Sequence, residues 1–354
     1  MKHFFSLSLV TLLLAACGSA TSTQTPPAEI ADAPDSQIET TLIVTTSFYP
    51  LTHFTTQVGG DLIEVQQVAA QGADPHSFEP TASQISQIYE SDLFIFNGQG
   101  QDTYAERLHT ELIKNGTNVL VATELVERMP YEREEHEHSD HEEDHNDHED
   151  EHEDEEHHDE HDDEDEHEED DHDEHNHGEW DPHVWLDPLR AEEIVQTIAQ
   201  ELSSMRPALA NQFQANADAY VAELRTLHKD MSAGLSNCTL DAVIVSHDAY
   251  RYLANRYNFY TFEIAGLSPS STPSPARLAE LTDIAATEGI EHVFFETQVS
   301  PALSETLAQE IGATTLVLHS IEALTDEERD NNETYVSIQR MNLNNLRTAL
   351  KCNE

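Results

Sequence analysis

Residues 180–188 read Trp-Asp-Pro-His-Val-Trp-Leu-Asp-Pro and separate two halves of the chain that have a similar pattern. Pro182 and Pro188 each hold the preceding residue in an extended conformation, so the segment between them is predicted to be a stiff loop. His183 lies within this loop beside apolar residues. A histidine on rigid backbone suits a preorganised metal ligand, although a loop histidine that only satisfies a local hydrogen bond is the alternative.

The stretch follows a segment made almost entirely of histidine and acidic residues. Residues 136–177 contain 13 histidines and 26 aspartates or glutamates among 42 residues, and the whole chain of 354 residues has a formal net charge of -54. So acidic a chain repels phosphate backbones, which excludes a nucleic-acid partner, and it attracts cations. The length suits two lobes of ordinary size with tails.

The N-terminus has the pattern of a targeting signal. Lys2 precedes an apolar run over residues 4–14, which is shorter than the ~20 residues that a membrane-spanning helix needs. Leu-Ala-Ala-Cys over residues 14–17 resembles the bacterial lipobox, so we expect cleavage before Cys17 and a lipid on its thiol. An ordinary signal peptide with an accidental cysteine is the alternative. The predicted location is extracytoplasmic, in the periplasm or on the outer face of the cell membrane, with a lipid anchor in the membrane.

Two further cysteines remain, in what would be an oxidising compartment. Cys238 precedes a predicted strand, and Cys352 ends the last predicted helix. We expect a disulfide that ties the C-terminus to the second lobe, with two free thiols as the alternative.

Strand patterns and helical patterns alternate on both sides of residues 180–188. Predicted strands cover 41–46, 62–68, 93–96, 119–122, 242–246, 259–264, 292–295 and 315–318. Predicted helices cover 50–58, 81–90, 103–114, 190–205, 207–235, 249–257, 275–288, 301–311 and 334–350. This pattern predicts two α/β lobes with mostly parallel sheets, joined by a long connecting helix of nearly thirty residues that begins at Pro207.

The same pattern predicts the domain boundaries. They are a signal peptide over 1–16, a flexible tether over 17–39, an N-terminal α/β lobe over 40–187 with a disordered His/acid-rich loop over 132–179, a helical connector over 188–238 and a C-terminal α/β lobe over 239–354.

Candidate metal ligands recur just after predicted strands of both lobes. They are His76, His183, His247, His319 and Glu322. Ligand sites in parallel α/β sheets gather at the carboxyl ends of strands, so these residues are predicted to face the cleft between the lobes. Any one of these histidines could instead serve a local hydrogen bond.

Several motifs together resemble those of the zinc-binding solute-binding proteins of bacterial ABC uptake systems, the ZnuA-like family of metal receptors. Apart from the acidic, histidine-rich insertion, the motifs occupy residues 46–51, 75–80, 181–188, 246–250 and 264–269. The resemblance covers nearly everything from about residue 40 to residue 354.

The resemblance implies that His76, His183 and His247 are metal ligands. For the fourth position we rank Glu322 first, and His319, Glu296 or a water molecule remain alternatives. Three imidazoles and one carboxylate favour Zn²⁺ in tetrahedral geometry.

The resemblance also implies a function. We expect a monomeric receptor, not an enzyme, that delivers Zn²⁺ to the permease of an ABC importer. The alternatives are a receptor for manganese or another divalent metal, and a zinc-scavenging surface adhesin. A metallohydrolase is disfavoured because the sequence has no His-Glu-x-x-His or Gly-x-Ser-x-Gly motif.

The His/acid run has more than one interpretation. It could collect zinc, sense zinc abundance or act only as a solubilising insertion. We expect its deletion to leave the tight site intact.

Overall fold

Two four-stranded sheets organise the molecule. The computed structural model describes residues 41–70, 72–131, 179–269, 271–298 and 300–353. The N-terminal sheet consists of β1 (Leu42–Thr46), β2 (Ile63–Gln67), β3 (Leu93–Phe96) and β4 (Asn118–Val121), in the order β2-β1-β3-β4. The C-terminal sheet consists of β5 (Ala242–His247), β6 (Tyr260–Ala265), β7 (His292–Phe295) and β8 (Thr314–Val317), in the order β6-β5-β7-β8. All pairings within the two sheets are parallel, so the predicted fold class is confirmed.

Helices connect the strands. They are α1 (Tyr49–Gly59), α2 (Ala82–Glu90), α3 (Thr103–Asn115), α4 (Pro188–Met205), α5 (Ala210–Gly234), α6 (Arg251–Tyr257), α7 (Pro275–Glu288), α8 (Ala302–Ile311), α9 (Asp326–Asp330) and α10 (Tyr335–Ala349). Helix α7 shows how local sequence sets the bounds. Ser274 caps its N-terminus, Pro275 occupies the first turn, and Gly289 ends it with a φ of 69° that favours glycine.

Helix α5 is the long connecting helix, although it is shorter than predicted. Its 25 residues span about 37 Å at 1.5 Å per residue, and residues 207–209 form a 3₁₀ turn instead of its first turn. Leu209 (φ -102°, ψ -1°) separates this turn from the helix proper, which begins at Ala210. The helix lies antiparallel to α4, where Arg225 pairs with Glu192 at 2.6 Å. It also packs on α1 of the N-terminal lobe and α10 of the C-terminal lobe.

Trp185 anchors the stretch from 180 to 188 between the two sheets. Its side chain is fully buried, and its ring packs edge-on against Phe48 with 4.8 Å between the centroids. The indole Nε1 donates to the carbonyl of Ser320 at 2.8 Å, while the Tyr335 hydroxyl donates to the Trp185 carbonyl at 2.6 Å. Burying 150–250 Å² of such a side chain stabilises the fold by roughly 4–6 kcal/mol. The predicted stiff loop is therefore held from both lobes.

A disulfide joins Cys238 to Cys352, which are 114 residues apart. It connects the segment that leads into β5 with the residues that follow α10. The chain-entropy argument assigns a loop of this length about 4–5 kcal/mol, as an upper figure. The residues that follow α10 are therefore tied to the segment that enters the C-terminal sheet.

Some predictions fall on residues that the structure does not describe. The signal peptide, Cys17 and the tether lie within 1–40, and nearly all of the His/acid-rich loop lies within 132–178. Within the described part of the chain, none of the helices has the length and apolar character needed to cross a membrane. The domain boundaries stay predictions.

Candidate metal centre

Four of the predicted residues converge at the carboxyl ends of the two sheets. His76 lies in the turn after β2, His183 precedes a short 3₁₀ turn, His247 is the last residue of β5, and Glu322 lies in the loop after β8. One potential ligand atom from each residue lies within 4.8 Å of the others. Among the described residues this is the one group of three or more His, Cys, Asp or Glu side chains with such geometry. Each lobe thus supplies two side chains.

The three imidazoles surround the Glu322 carboxylate. Their ring centroids are separated by 5.6 Å between His76 and His183, 6.3 Å between His76 and His247, and 5.4 Å between His183 and His247. The Oε1 of Glu322 lies 3.2 Å from Nε2 of His76 and 3.7 Å from Nε2 of His183. One small cation fits among donors at this spacing.

The free ring nitrogens show that the donors suit a metal ion. The Nε2 atoms of His76, His183 and His247 are all buried, and none of them makes a hydrogen bond. Leaving a buried polar atom unsatisfied costs about 1–3 kcal/mol, so three such atoms in one place need a compensating partner. Three imidazole nitrogens and one carboxylate oxygen form a donor set that Zn²⁺ binds in tetrahedral geometry.

His183 is oriented by the residue two positions before it. Asp181 Oδ1 accepts from both the backbone N–H and the ring Nδ1 of His183, each at 2.9 Å. This contact fixes the tautomer that leaves Nε2 facing the cluster. Burial lowers the pKa of His183 despite the neighbouring carboxylate of Asp181. His183 is therefore a neutral imidazole, ready to donate its lone pair.

His247 is oriented in the same way but from a distant residue. Its Nδ1 lies 2.5 Å from Oε1 of Glu296, which also accepts a hydrogen bond from the Ser246 hydroxyl. Burial disfavours the charge on His247, but the negative charge of Glu296 outweighs burial and raises the pKa of His247 to about 9. At neutral pH His247 is therefore protonated.

Glu322 is an ionised carboxylate. Burial acts to raise its pKa, but the three histidines, His76 first among them, bring the pKa well below its usual range. Gln101 donates a hydrogen bond from Nε2 to the same Oε1 at 3.2 Å. Glu322 is therefore the one anionic side chain among the four residues of the cluster.

The other two candidates for the fourth position lie elsewhere. His319 is buried, but its Nδ1 accepts from the N–H of Ile321 at 2.8 Å and its Nε2 lies 3.2 Å from Glu328. Glu296 lies behind His247, on the Nδ1 side of the ring. Between His319 and Glu322, Ile321 has a φ of 62°, a rare conformation for a β-branched residue that turns the chain. The two side chains consequently reach different surroundings.

Sequence reasoning missed the supporting residues Asp181, Glu296 and Gln101 in their roles around the ligands. One signal was available, because Asp-Pro-His occurs both at 74–76 and at 181–183. In each copy the Asp carboxylate accepts the N–H of the histidine at 2.9 Å. The contacts of Glu296 and Gln101 join residues 49 and 221 positions apart, so no local pattern could reveal them.

Two parallel α/β sheets with buried metal donors between them define a class of proteins, the two-lobed metal-binding solute receptors. The chain belongs to the family described as ZnuA, zinc-uptake complex component A periplasmic, whose family model matches residues 44–349. The resemblance predicted from the motifs is thereby confirmed. The family consists of uptake components and not of enzymes.

Individual relatives agree with this family. The chain is 33% identical over 311 residues to the zinc-binding lipoprotein AdcA of Streptococcus pneumoniae. The aligned residues cover 88% of this chain and 56% of AdcA. It is 31% identical over 346 residues to the high-affinity zinc uptake system protein ZnuA of Bacillus subtilis, covering 98% and 96%.

A solved structure supports the same conclusion. The structure of the Zn(II)-bound ZnuA-like domain of S. pneumoniae AdcA matches with a TM-score of 0.68 at 32% identity, over 88% of this chain and 99% of that domain. The chain thus spans little more than half the length of AdcA, and it matches the ZnuA-like part.

Proposed function

We propose that the chain is an extracytoplasmic receptor that binds Zn²⁺ through His76, His183, His247 and Glu322 and delivers it to an ABC importer. The observation that carries the proposal is the convergence of three buried Nε2 atoms, none of which makes a hydrogen bond, around one ionised carboxylate. The zinc-bound structure of the AdcA domain and the names of the relatives support zinc as the cargo.

The donor set favours zinc over manganese, which was the alternative from the sequence. Manganese prefers oxygen donors, whereas three of the four candidate donors here are imidazole nitrogens. We expect Zn²⁺ to bind tightly and Mn²⁺ weakly at this site.

Capture of the ion is an exchange of zinc for a proton. The N-terminal lobe offers His76 and His183, while the C-terminal lobe offers His247 and Glu322. The proton on His247 leaves as its lone pair binds the ion, and Glu296 stays hydrogen bonded to Nδ1. Because Trp185 and α5 contact both lobes, we expect only small relative movement of the lobes during capture.

The remaining parts of the proposal concern the membrane. A lipid on Cys17 would hold the monomeric receptor beside the permease, and energy for transport would come from ATP hydrolysis by the importer. Mass spectrometry of the mature protein tests the lipid anchor, since a diacylated or triacylated N-terminal Cys17 is expected. An unmodified mature N-terminus elsewhere would contradict it.

Metal competition titration tests the ligand assignment. The purified protein should bind one Zn²⁺ ion tightly, in addition to weaker binding by the His/acid run. The variants His183→Ala and Glu322→Ala should weaken the tight component by more than about 100-fold, beyond the 10–100-fold typical of losing a supporting residue.

His319→Gln is the matched control, because His319 lies three residues from Glu322 without reaching the cluster, and an amide oxygen can still accept the N–H of Ile321. It should keep the tight component. Loss of tight binding in His319→Gln, with retention in Glu322→Ala, would overturn the assignment of the fourth ligand.

Growth tests separate transport from adhesion. A deletion strain should fail to grow under zinc chelation, and the wild-type chain but not His183→Ala should restore growth. Normal growth of the deletion strain would favour the alternative adhesin function.

A further inference from the structure

The loop after β3 places a buried glutamine against the candidate fourth ligand. Gln101 is fully buried, and its Nε2 lies 3.2 Å from Oε1 of Glu322, which comes from the opposite lobe. A carboxylate ion only accepts hydrogen bonds, so the amide must present its nitrogen to Glu322. The Oε1 of Gln101 is also buried and has no hydrogen-bond partner. A buried amide satisfied on one side alone calls for an explanation beyond packing.

The backbone before Gln101 is held in an unusual conformation. Gly98, Gln99 and Gly100 have φ values of 85°, 60° and 83°. Glycine adopts such values freely, but Gln99 does so at a cost. The strain persists only where surrounding contacts determine the conformation, and it is characteristic of functional loops.

Hydrogen bonds fix this loop. Asp102 accepts from the N–H groups of Asn97 and Gly98, each at 2.8 Å, and Glu106 accepts from the N–H of Gly100 at 3.0 Å. The Asn97 side chain donates to the carbonyl of Pro182 at 2.8 Å, directly before His183. The loop that carries Gln101 is thus tied to the backbone that carries a metal ligand.

We propose that Gln101 is a positioning residue that holds Glu322 in a one-oxygen binding mode and thereby determines the preference for zinc. This inference rests on the proposed function. A carboxylate free to rotate can present both oxygens to a metal ion and raise its coordination number to five. Gln101 donates to Oε1, the same oxygen that lies nearest His76 and His183. A hydrogen bond from a rigid donor to this oxygen restrains the rotation and keeps Oε1 toward the imidazoles, so one oxygen faces the ion and coordination stays at four. Tetrahedral coordination suits Zn²⁺, whereas Mn²⁺ accepts more oxygen ligands.

Replacement by methionine isolates the hydrogen bond. Gln101→Met keeps the length and nearly the volume of the side chain but removes the donor. We expect the ratio of zinc to manganese affinity to fall about tenfold or more, the lower end of what supporting residues around metal ligands provide. The variant loaded with Co²⁺ should show weaker visible d–d absorption than the wild type, because five-coordinate Co²⁺ absorbs less than tetrahedral Co²⁺.

Gln298→Ala is the matched control. The Gln298 amide donates to the carbonyl of Ala323, the residue after Glu322, so its loss loosens the same loop without touching the carboxylate. This variant should keep the wild-type Co²⁺ spectrum and zinc preference. The same spectral change in both variants would show that loop rigidity, and not the hydrogen bond from Gln101, sets the coordination number.

These experiments distinguish a failure of the role of Gln101 from a failure of the proposed receptor function. Failure of the wild type to bind zinc tightly would refute the receptor assignment itself. Tight binding by the wild type with an unchanged spectrum and preference in Gln101→Met would refute only the role of Gln101. If Gln101→Met does not fold, X-ray absorption spectroscopy of the zinc-loaded wild type gives the coordination number directly. Zinc bound through both oxygens of Glu322 would overturn the proposal.

Discussion

The N-terminal and C-terminal lobes have the same strand order, yet they hold their buried histidines in different electrostatic surroundings. In the N-terminal lobe, His183 is oriented by Asp181, two residues away, and burial lowers its pKa. In the C-terminal lobe, His247 is oriented by Glu296, 49 residues away, and its pKa rises to about 9. Similar hydrogen bonds therefore leave one imidazole neutral and the other protonated. Under the proposed function, His183 is therefore ready to bind the metal ion, whereas His247 must first release a proton.

The largest expected consequence is a dependence of zinc affinity on pH. Below pH 9 zinc must displace the proton of His247, whereas His183 has no proton to release. The dissociation constant for zinc should therefore decrease about tenfold per unit as pH rises from 7 to 9, roughly 100-fold in all. Competition titrations against a chelator of known pH dependence measure this slope. A flat profile would contradict the protonated state of His247.

A pair of substitutions sharpens the comparison between the lobes. Glu296→Gln removes the charge that raises the pKa of His247, so the pH slope should flatten. Asp181→Asn should leave the slope unchanged, because His183 is neutral throughout this range. Each should weaken zinc binding about 10–100-fold at pH 9, since both remove a carboxylate that supports a ligand. Equal pH slopes in the two variants would show that the lobes do not differ as described.

The smallest expected effect concerns His53, a buried histidine whose pKa is lowered by burial with no neighbouring carboxylate to raise it. Its ring on α1 lies 5.5 Å from the ring of Tyr220 and 6.5 Å from that of Tyr335, and burial lowers its pKa to about 4. As pH falls from 6.5 to 4, the unfolded chain binds a proton that the folded chain excludes, so stability is lost. Allowing for partial exposure of the ring, the free energy of unfolding should decrease by about 1–2 kcal/mol over that range.

His53→Phe should lack this contribution and should bind zinc as the wild type does. Chemical denaturation of both proteins at pH 6.5 and pH 4, with zinc removed, measures the difference. Parallel loss of stability in both would exclude His53 as the cause.

Local sequence predicted most of the helices and strands but not all of their details. The bounds of α7 and β7 agree with prediction residue for residue, because caps, proline and β-branched runs act locally. Helix α9 was missed, although Thr325 and Glu328 form the capping box that could have indicated it. Pro207 was wrongly taken as the start of α5, because the φ that proline fixes suits the first residue of a 3₁₀ turn as well as that of an α-helix.

The sequence by itself determined that histidines follow the strands of two α/β lobes, because short local sequence patterns indicate where strands end and where prolines bound a loop. For the fourth position it ranked Glu322 first on charge balance and left His319, Glu296 and a water molecule as alternatives. That choice depends on the left-handed turn at Ile321 and on contacts between residues far apart in the chain, such as Glu296 with His247. Only the tertiary structure decides which carboxylate enters the cluster and which one orients a ligand, because both outcomes follow from packing between lobes.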